Sequence, residues 1–443
     1  MMELHSNSSG LKKLAINLII AVLLVCASEN ALAIMLKEVI ESALKLDPTL
    51  RISKINQNSA EENIAIARAR LLPQIYLQGS SSQITQTTTQ ELISGGGLSK
   101  SFTGPSVNHQ FVIRQALIRP KELSSLKYAE MQVEYTEKKY ALDFEELKSK
   151  VTSLWIDLLT AQEIVKAYER ALPYMKETTI QERIKYELGE STKDAVKEVD
   201  AQYENYRATL FQAVETLKLR KITFENVTKI SSSDLSDKIL NIQNLSEFKE
   251  IEKRIYFEKL INLSIEIEMA KLHEDMQLEK VKNMQNEHKP TLDLIAAINL
   301  AKNDATSTQG YQYKNKQIGV QYSVPIYSGG AINSGVRQAL LGYEGSIAET
   351  ELTYRKIKSE FDNNWSVVVS GKNKETALLL SCGAAEEQLK AVKRGYSLGV
   401  KSGADVISSE LILARRNVEL IINRQEYYKA LVKVYKDAWE LLE

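Results

Sequence analysis

The sequence predicts an α+β membrane protein: a long α-helical coiled-coil barrel continued by a transmembrane β-barrel, with four strands per chain and two internal repeats. Three observations carry this prediction. Large or apolar residues recur at Tyr140, Phe144, Leu147, Val151, Leu154, Leu158, Ala161, Val165, Tyr168, Leu172 and Met175, a strict alternation of four- and three-residue steps that marks a heptad seam. The same spacing returns at Val336, Leu340, Tyr343 and Ile347, then at Tyr354, Ile357, Phe361, Trp365 and Val368, so the chain reads as two copies of one unit. Four segments of about ten residues alternate apolar with polar side chains, the length and period of outer-membrane barrel strands.

Lys12 and Lys13 precede an apolar run at 14–25, and Ala31-Leu32-Ala33 supplies small residues at the two positions a signal peptidase reads. Residues 1–33 therefore read as a secretory signal peptide with Ile34 as the mature start, since a run of about 12 residues is too short to span a bilayer. Leu23-Leu24-Val25 before Cys26 lacks the small side chain of a lipoprotein cleavage site, so no lipid anchor is expected.

Basic and acidic side chains are equal at 57 each, which offers nothing to nucleic acid. Cys382 stands alone after cleavage, so no internal disulfide is expected. His109, His273 and His288 show no ligand spacing, and there is no phosphate loop, nucleophile elbow or Cys-x-x-Cys. The pattern is that of a non-enzyme with no metal and no cofactor.

The first repeat is placed at 34–229. Helical spacing over 36–71 breaks at Asp47-Pro48, where the proline suits the first turn of a renewed helix, and ends at Pro73. Ile75, Leu77 and Gly79 then alternate with Gln74, Tyr76, Gln78 and Ser80, a strand. The Ser/Thr/Gln/Gly-rich stretch 81–104 predicts a loop, and 107–118 a return strand. The first rod spans 121–188, roughly 100 Å at ~1.5 Å per residue, and Pro173 is expected to kink it. Gly189 stops it, and Ser191-x-x-Asp194 restarts a helix to about Lys229.

Residues 230–246 are the midpoint linker, the place for an equatorial segment, and the second repeat occupies 247–443. A helix over 246–287 ends before Pro290. Strands are predicted over 291–301 and 318–326, with a loop at 302–314 between them. Ile298 and Val320 fall on the apolar, lipid-facing side. The second rod spans 331–398, Gly399 stops it, and Ser402-x-x-Asp405 opens the last helix. Four strands cannot close a barrel, and an open edge in hydrocarbon costs several kcal/mol per unpaired group, so copies of the chain must pool their strands.

Four motifs in order carry a resemblance over nearly the whole mature chain: Leu44-x-x-Asp47-Pro48, Ala67-x-Ala69-x-x-Leu72-Pro73, Val324-Pro325-x-Tyr327-x-Gly329-Gly330, and Gly395-Tyr396-Ser397-x-Gly399 with Asp405-Val406-Ile407. The chain resembles the TolC family of outer-membrane efflux and secretion channels. The resemblance implies a homotrimer with a 12-stranded barrel in outer-membrane lipid and a helical tunnel crossing the periplasm. It also implies a periplasmic adaptor and an inner-membrane pump of ABC or RND type, for which the channel is a passive exit duct for small molecules or unfolded polypeptide. A non-conducting structural or adhesive spacer is the alternative that the rods by themselves allow.

Family resemblance further implies that adaptor hairpins dock at the tips, Gly189, Glu190, Gly399 and Val400, and that gate and latch positions fall at Asp405, Asp194, Tyr396 and Lys401. Asp405 would form a ring of three carboxylates at the narrow end, Lys401 would hold neighbouring hairpins shut, and Asp194 would bond Tyr396. The residues themselves offer a local role for both aspartates, as the acidic member of a capping box. Ser408 stands where the family often has a second acidic residue, and any C-terminal extension is expected to be minimal.

Overall fold

A computed structural model describes residues 36–92, 96–231, 253–304 and 310–434. The signal peptide and nearly all of the midpoint linker lie outside them. In chain order the elements are α1 (36–46), α2 (Pro48–Ala69), β1 (Gln74–Leu92), β2 (Gly96–Ile118), α3 (Pro120–Glu187), α4 (Lys193–Thr228), α5 (Lys253–Asn262), α6 (Ile265–Asn286), β3 (Thr291–Asn303), β4 (Tyr311–Ser323), α7 (Ala331–Ser397) and α8 (Gly403–Val434). Hairpin, long helix and shorter helix thus follow one another twice, with long helices of 68 and 67 residues. No helix among the described residues is long and apolar enough to cross a membrane.

The helix boundaries follow local rules. Asp47 separates α1 from α2, and its Oδ1 accepts from the backbone N–H groups of Thr49 at 2.7 Å and Leu50 at 3.1 Å, so the break before Pro48 is a capped restart. The helix expected over 246–287 is divided at Leu263-Ser264. Ser264 precedes α6, and Glu266 and Glu268 occupy its first turn, a helix-start composition that the apolar spacing concealed. Pro173 sits inside α3, whose helix continues unbroken to Glu187.

The chain forms two compact units, one from Ser53–Tyr140 and Ile265–Thr353, the other from the segments up to Ile52, Ala141–Ser264 and from Tyr354 on. In the first, β1-β2-β3-β4 make one antiparallel sheet in sequence order, so β1 and β4 are its edges. The register sets Leu77, Phe111, Ile298 and Lys316 side by side on one face, next to the row Ile75, Ile113, Ala296 and Ile318. Gln78, Gln110, Asn299 and Asn315 fall on the other. At the helical end of the sheet, Arg119 holds Asp293 through two hydrogen bonds, Nε–Oδ1 at 2.9 Å and Nη2–Oδ2 at 2.5 Å. Asn283 and Asn286 of α6 donate to the carbonyls of Lys121 and Pro120, which fixes the start of α3.

The strand boundaries correct the sequence reading in three places. The expected loop 81–104 is strand on both sides of its tip, paired from Ser81↔Val107 to Leu92↔Gly96. Threonine is β-branched and favours the extended chain, and the hydroxyls pair across the ladder: Thr85 with Thr103 at 2.9 Å and Thr87 with Ser101 at 3.1 Å. Polar composition had masked this. Likewise β3 reaches Asn303 and β4 begins at Tyr311, shortening the expected loop at 302–314. At its other end β4 stops at Ser323 instead of 326, because Pro325 has no N–H for the ladder.

In the second unit the heptad seam is the core. Val151, Leu158 and Met175 are fully buried. Met175 packs with Val199 and Tyr206 of α4 and Ile407 and Ala414 of α8. Phe361, Trp365 and Val368 of α7 pack with Tyr428, Leu431 and Val434 of α8, and Tyr256 and Phe257 of α5 lie against them.

Candidate functional site

Both helix hairpins of the second unit turn on the same backbone device. Gly189 and Gly399 take left-handed φ values of 79° and 76°. Past each glycine a backbone N–H reaches back over a full turn, Glu190 N to Lys185 O and Val400 N to Gly395 O, both at 2.8 Å. This satisfies helix-end carbonyls as a Schellman motif does. The tips present large apolar side chains to solvent: Leu188 is 69% exposed, and Leu398 and Val400 are each 78% exposed. Glu190 is exposed beside them.

Restarts differ. At α8 the capping box is complete: the Ser402 N–H and hydroxyl donate to Asp405 Oδ2 at 2.9 and 3.0 Å, and the Asp405 N–H donates to Ser402 Oγ at 3.1 Å. These bonds, the backbone one first, hold the Asp405 carboxyl below the usual aspartate range, and Lys401 adds to the effect. The carboxylate stays exposed, as does Ser408 one turn on, while Val406 and Ile407 face the core. At α4 the expected Ser191-x-x-Asp194 box does not form. Thr192 is the cap, accepting from the Ala195 N–H at 3.2 Å, and Asp194 sits in the first turn. The sequence offers Ser191 and Thr192 side by side, and Ser191 is engaged elsewhere.

That engagement is with Glu182, which the sequence reading passed over. Glu182 is buried on α3, and its Oε1 accepts from Ser191 Oγ at 2.5 Å. Its Oε2 accepts from the Tyr396 hydroxyl at 3.1 Å. The expected partner of Tyr396 was Asp194; the phenol instead bonds Glu182, because the buried carboxylate projects from α3 toward α7. Glu182 also lies against the first turn of α8: a Cβ on Gly403 would meet Oε2 at 2.6 Å, so a side chain at this position would displace the carboxylate. The helix N-terminus there favours the negative charge. Residues 175, 182 and 189 are heptad-spaced, so a charged residue on a seam of apolar ones was the available signal.

Tyr396 is held from a second side by Lys185, whose Nζ lies 3.7 Å from the ring centroid. Burial first, then the charge and hydrogen bond of Glu182, push the phenol up to about 12. Lys401 packs its stem over Gly395, whose Cβ would meet Lys401 Cγ at 2.7 Å. Tyr396 therefore lies at the junction of the two hairpins, Lys401 folds back on Gly395 of its own hairpin, and Asp405 lies on an exposed helix start. Among the described residues no cluster of three metal-ligating side chains occurs.

The sequence model of the outer membrane efflux protein family matches residues 39–227 and 257–436. The chain is 24% identical over 400 residues to the "Proteases secretion protein PrtF" of Dickeya chrysanthemi, covering 88% of this chain and 85% of the relative. It is 25% identical over 416 residues to the "Outer membrane protein TolC" of Escherichia coli K12, covering 88% and 79%. Among solved structures, the outer membrane protein VceC of Vibrio cholerae superimposes with a TM-score of 0.75 at 15% identity, over 90% of this chain and 95% of that one. The open-state MtrE outer membrane channel of Neisseria gonorrhoeae gives 0.71 at 18% identity, over 90% and 88%. With both halves of the chain matched and the fold shared, this protein is a member of the outer membrane efflux protein family and resides in the outer membrane, with its helices extending into the periplasm.

Proposed function

We propose that the chain is the passive exit duct of a tripartite efflux or type I secretion system. The observation that carries this reading is the four-stranded sheet with two unpaired edges, β1 and β4. Inside hydrocarbon each unpaired backbone group costs several kcal/mol, so the edges must be closed by further copies of the chain. Three copies of four strands make a barrel of twelve, the homotrimer of the family resemblance. Unfolded polypeptide is the favoured cargo, since relatives include proteins named for protease secretion, PrtF and AprF. The pump would then be of ABC type.

The exposed Leu188, Leu398 and Val400 make the hairpin tips a docking surface for the periplasmic adaptor. Photo-crosslinkers at Glu190 and Val400 should capture it, and capture only from mid-helix sites such as Val165 would argue for lateral docking. Tyr396 and Lys401, with Glu182 in the place expected of Asp194, hold the periplasmic end closed, and Asp405 lines it. The deciding experiment is reconstitution in planar bilayers. Discrete cation-selective openings from a detergent-stable trimer are expected, whereas a monomer without conductance would leave the spacer reading.

A further inference from the structure

The sheet carries a second feature that conduction does not use. Lys302 on β3 and Lys314 and Lys316 on β4 share a face with Ile298, Ile318 and Val320, the face assigned to lipid. Lys316 lies beside Ile298 and Phe111, Lys314 beside Leu300 and His109, and Lys302 beside Val107. Lys302 and Lys314 sit toward the β3–β4 turn, away from the helices, and Lys316 stands further in, opposite Ile298. Lys302 is neutralised by Asp304, at 3.0 Å. Lys314 and Lys316 are exposed, two residues or about 6.8 Å apart along the strand. Beneath them the face is hollow: Phe111, Ile113, Ala296, Ile298, Lys316 and Ile318 line a depression of about 240 Å³, left open where Ala296 stands among larger neighbours.

Cations on a lipid-facing strand are costly at the midplane and nearly free at the interface, where the stem lies along hydrocarbon and the ammonium reaches the headgroups. Lys314 beyond the apolar hollow, with the ammonium of Lys316 reaching up from its wall, therefore marks the level of the headgroups on the side away from the periplasmic helices, which is the outer leaflet. We propose that this face binds a phosphate-bearing lipid of the outer leaflet, with one acyl chain in the hollow and the headgroup phosphate between Lys314 and Lys316. An ammonium pair suits a phosphate, whose oxygens accept from both. The proposal rests on the channel reading only for the orientation of the sheet in the outer membrane.

The test is lipid retention by the full chain extracted in detergent, measured by native mass spectrometry with bisphosphorylated lipid A, its dephosphorylated form, and orthophosphate as competitor. The parent should retain the phosphorylated lipid at least about tenfold better than the dephosphorylated one, as two lysines at an anionic surface imply. Lys314→Gln with Lys316→Gln should abolish that preference, and Lys314→Arg with Lys316→Arg should keep it. Ala296→Phe, which fills the hollow, should lower retention of both lipids with the charges intact. Conductance of all three variants should match the parent, so loss of lipid with normal openings separates this site from the channel itself. Equal retention by the parent and the double Gln variant would overturn the proposal. So would displacement of the lipid by orthophosphate, which would make this an ion site, or unchanged retention in Ala296→Phe, which would leave the hollow without a role.

Discussion

The hydroxyl of Tyr396 on α7 donates to Oε2 of the buried Glu182 on α3, at 3.1 Å. One carboxylate thereby ties the second long helix to the first, and its other oxygen ties the α3–α4 turn through Ser191. Separating the hairpins at this level breaks the Tyr396 bond. A hydrogen bond to a charged partner contributes about 1.5 kcal/mol at the lower end, roughly tenfold in a closed-to-open equilibrium. Glu182→Gln and Tyr396→Phe should each raise the open fraction in single-channel recordings by about that factor, and the double variant should add little to either. Asp194→Ala should have the smaller effect.

The same contact sets a pH dependence. Folding raises the Tyr396 phenol from 10.0 to about 12, so the neutral form is the one the site favours. Its contribution is fully present below pH 10 and is lost as pH rises through 12. Conductance of the parent should therefore climb between these values, while Tyr396→Phe, already loosened, should be flat across them.

Asp405 is predicted to serve two roles that one pair of variants separates. Asp405→Asn keeps a side-chain acceptor for the Ser402 N–H and removes the charge, so cation selectivity and block by trivalent ions should fall with little change in melting temperature. Asp405→Ala removes the cap as well and should cost about 1 kcal/mol of stability. Because folding lowers this carboxyl, the capping contribution is present above the ordinary aspartate value of 3.8 and is lost as pH falls below it. Unchanged selectivity in both variants would leave capping as the whole role.

At the foot of the sheet, Arg119→Ala would strand the buried Asp293 carboxylate. Breaking such a pair from one side costs about 3 kcal/mol, more than the pair adds over an uncharged replacement. The unfolding midpoint should drop sharply for Arg119→Ala and recover in part when Asp293→Asn is added.

Val320 tests the lipid face. Val320→Leu should assemble normally, whereas Val320→Arg, four residues below Lys316 on the same face, should cost about 2 to 4 kcal/mol, read as a lower yield of heat-stable oligomer. A matching substitution at Gln110 on the opposite face, Gln110→Arg, should be tolerated.

The rods, their stops and the capping box of Ser402 and Asp405 were legible in the sequence. Each depends on residues within one or two turns: a four-three apolar rhythm, a glycine free to take positive φ, a hydroxyl three places before a carboxylate. Strand parity was legible for the same reason, since alternation at Ile298 and Val320 needs no partner strand. The length of the β1–β2 hairpin was not. Thr85, Thr87 and Thr89 read as a polar loop until Thr103, Ser101 and Ser99 stand opposite them, where each hydroxyl meets another.

By itself, then, the sequence determined two long heptad helices, four alternating strands and the local chemistry of each turn, because those are set by neighbours in the chain. Only the tertiary structure decided that Tyr396 meets Glu182 and not Asp194, that Gly403 packs against the Glu182 carboxylate, and that Lys316 borders a hollow made by Phe111 and Ala296. These partners lie up to some two hundred residues apart, and helix packing or strand register, which no local period records, brings them together.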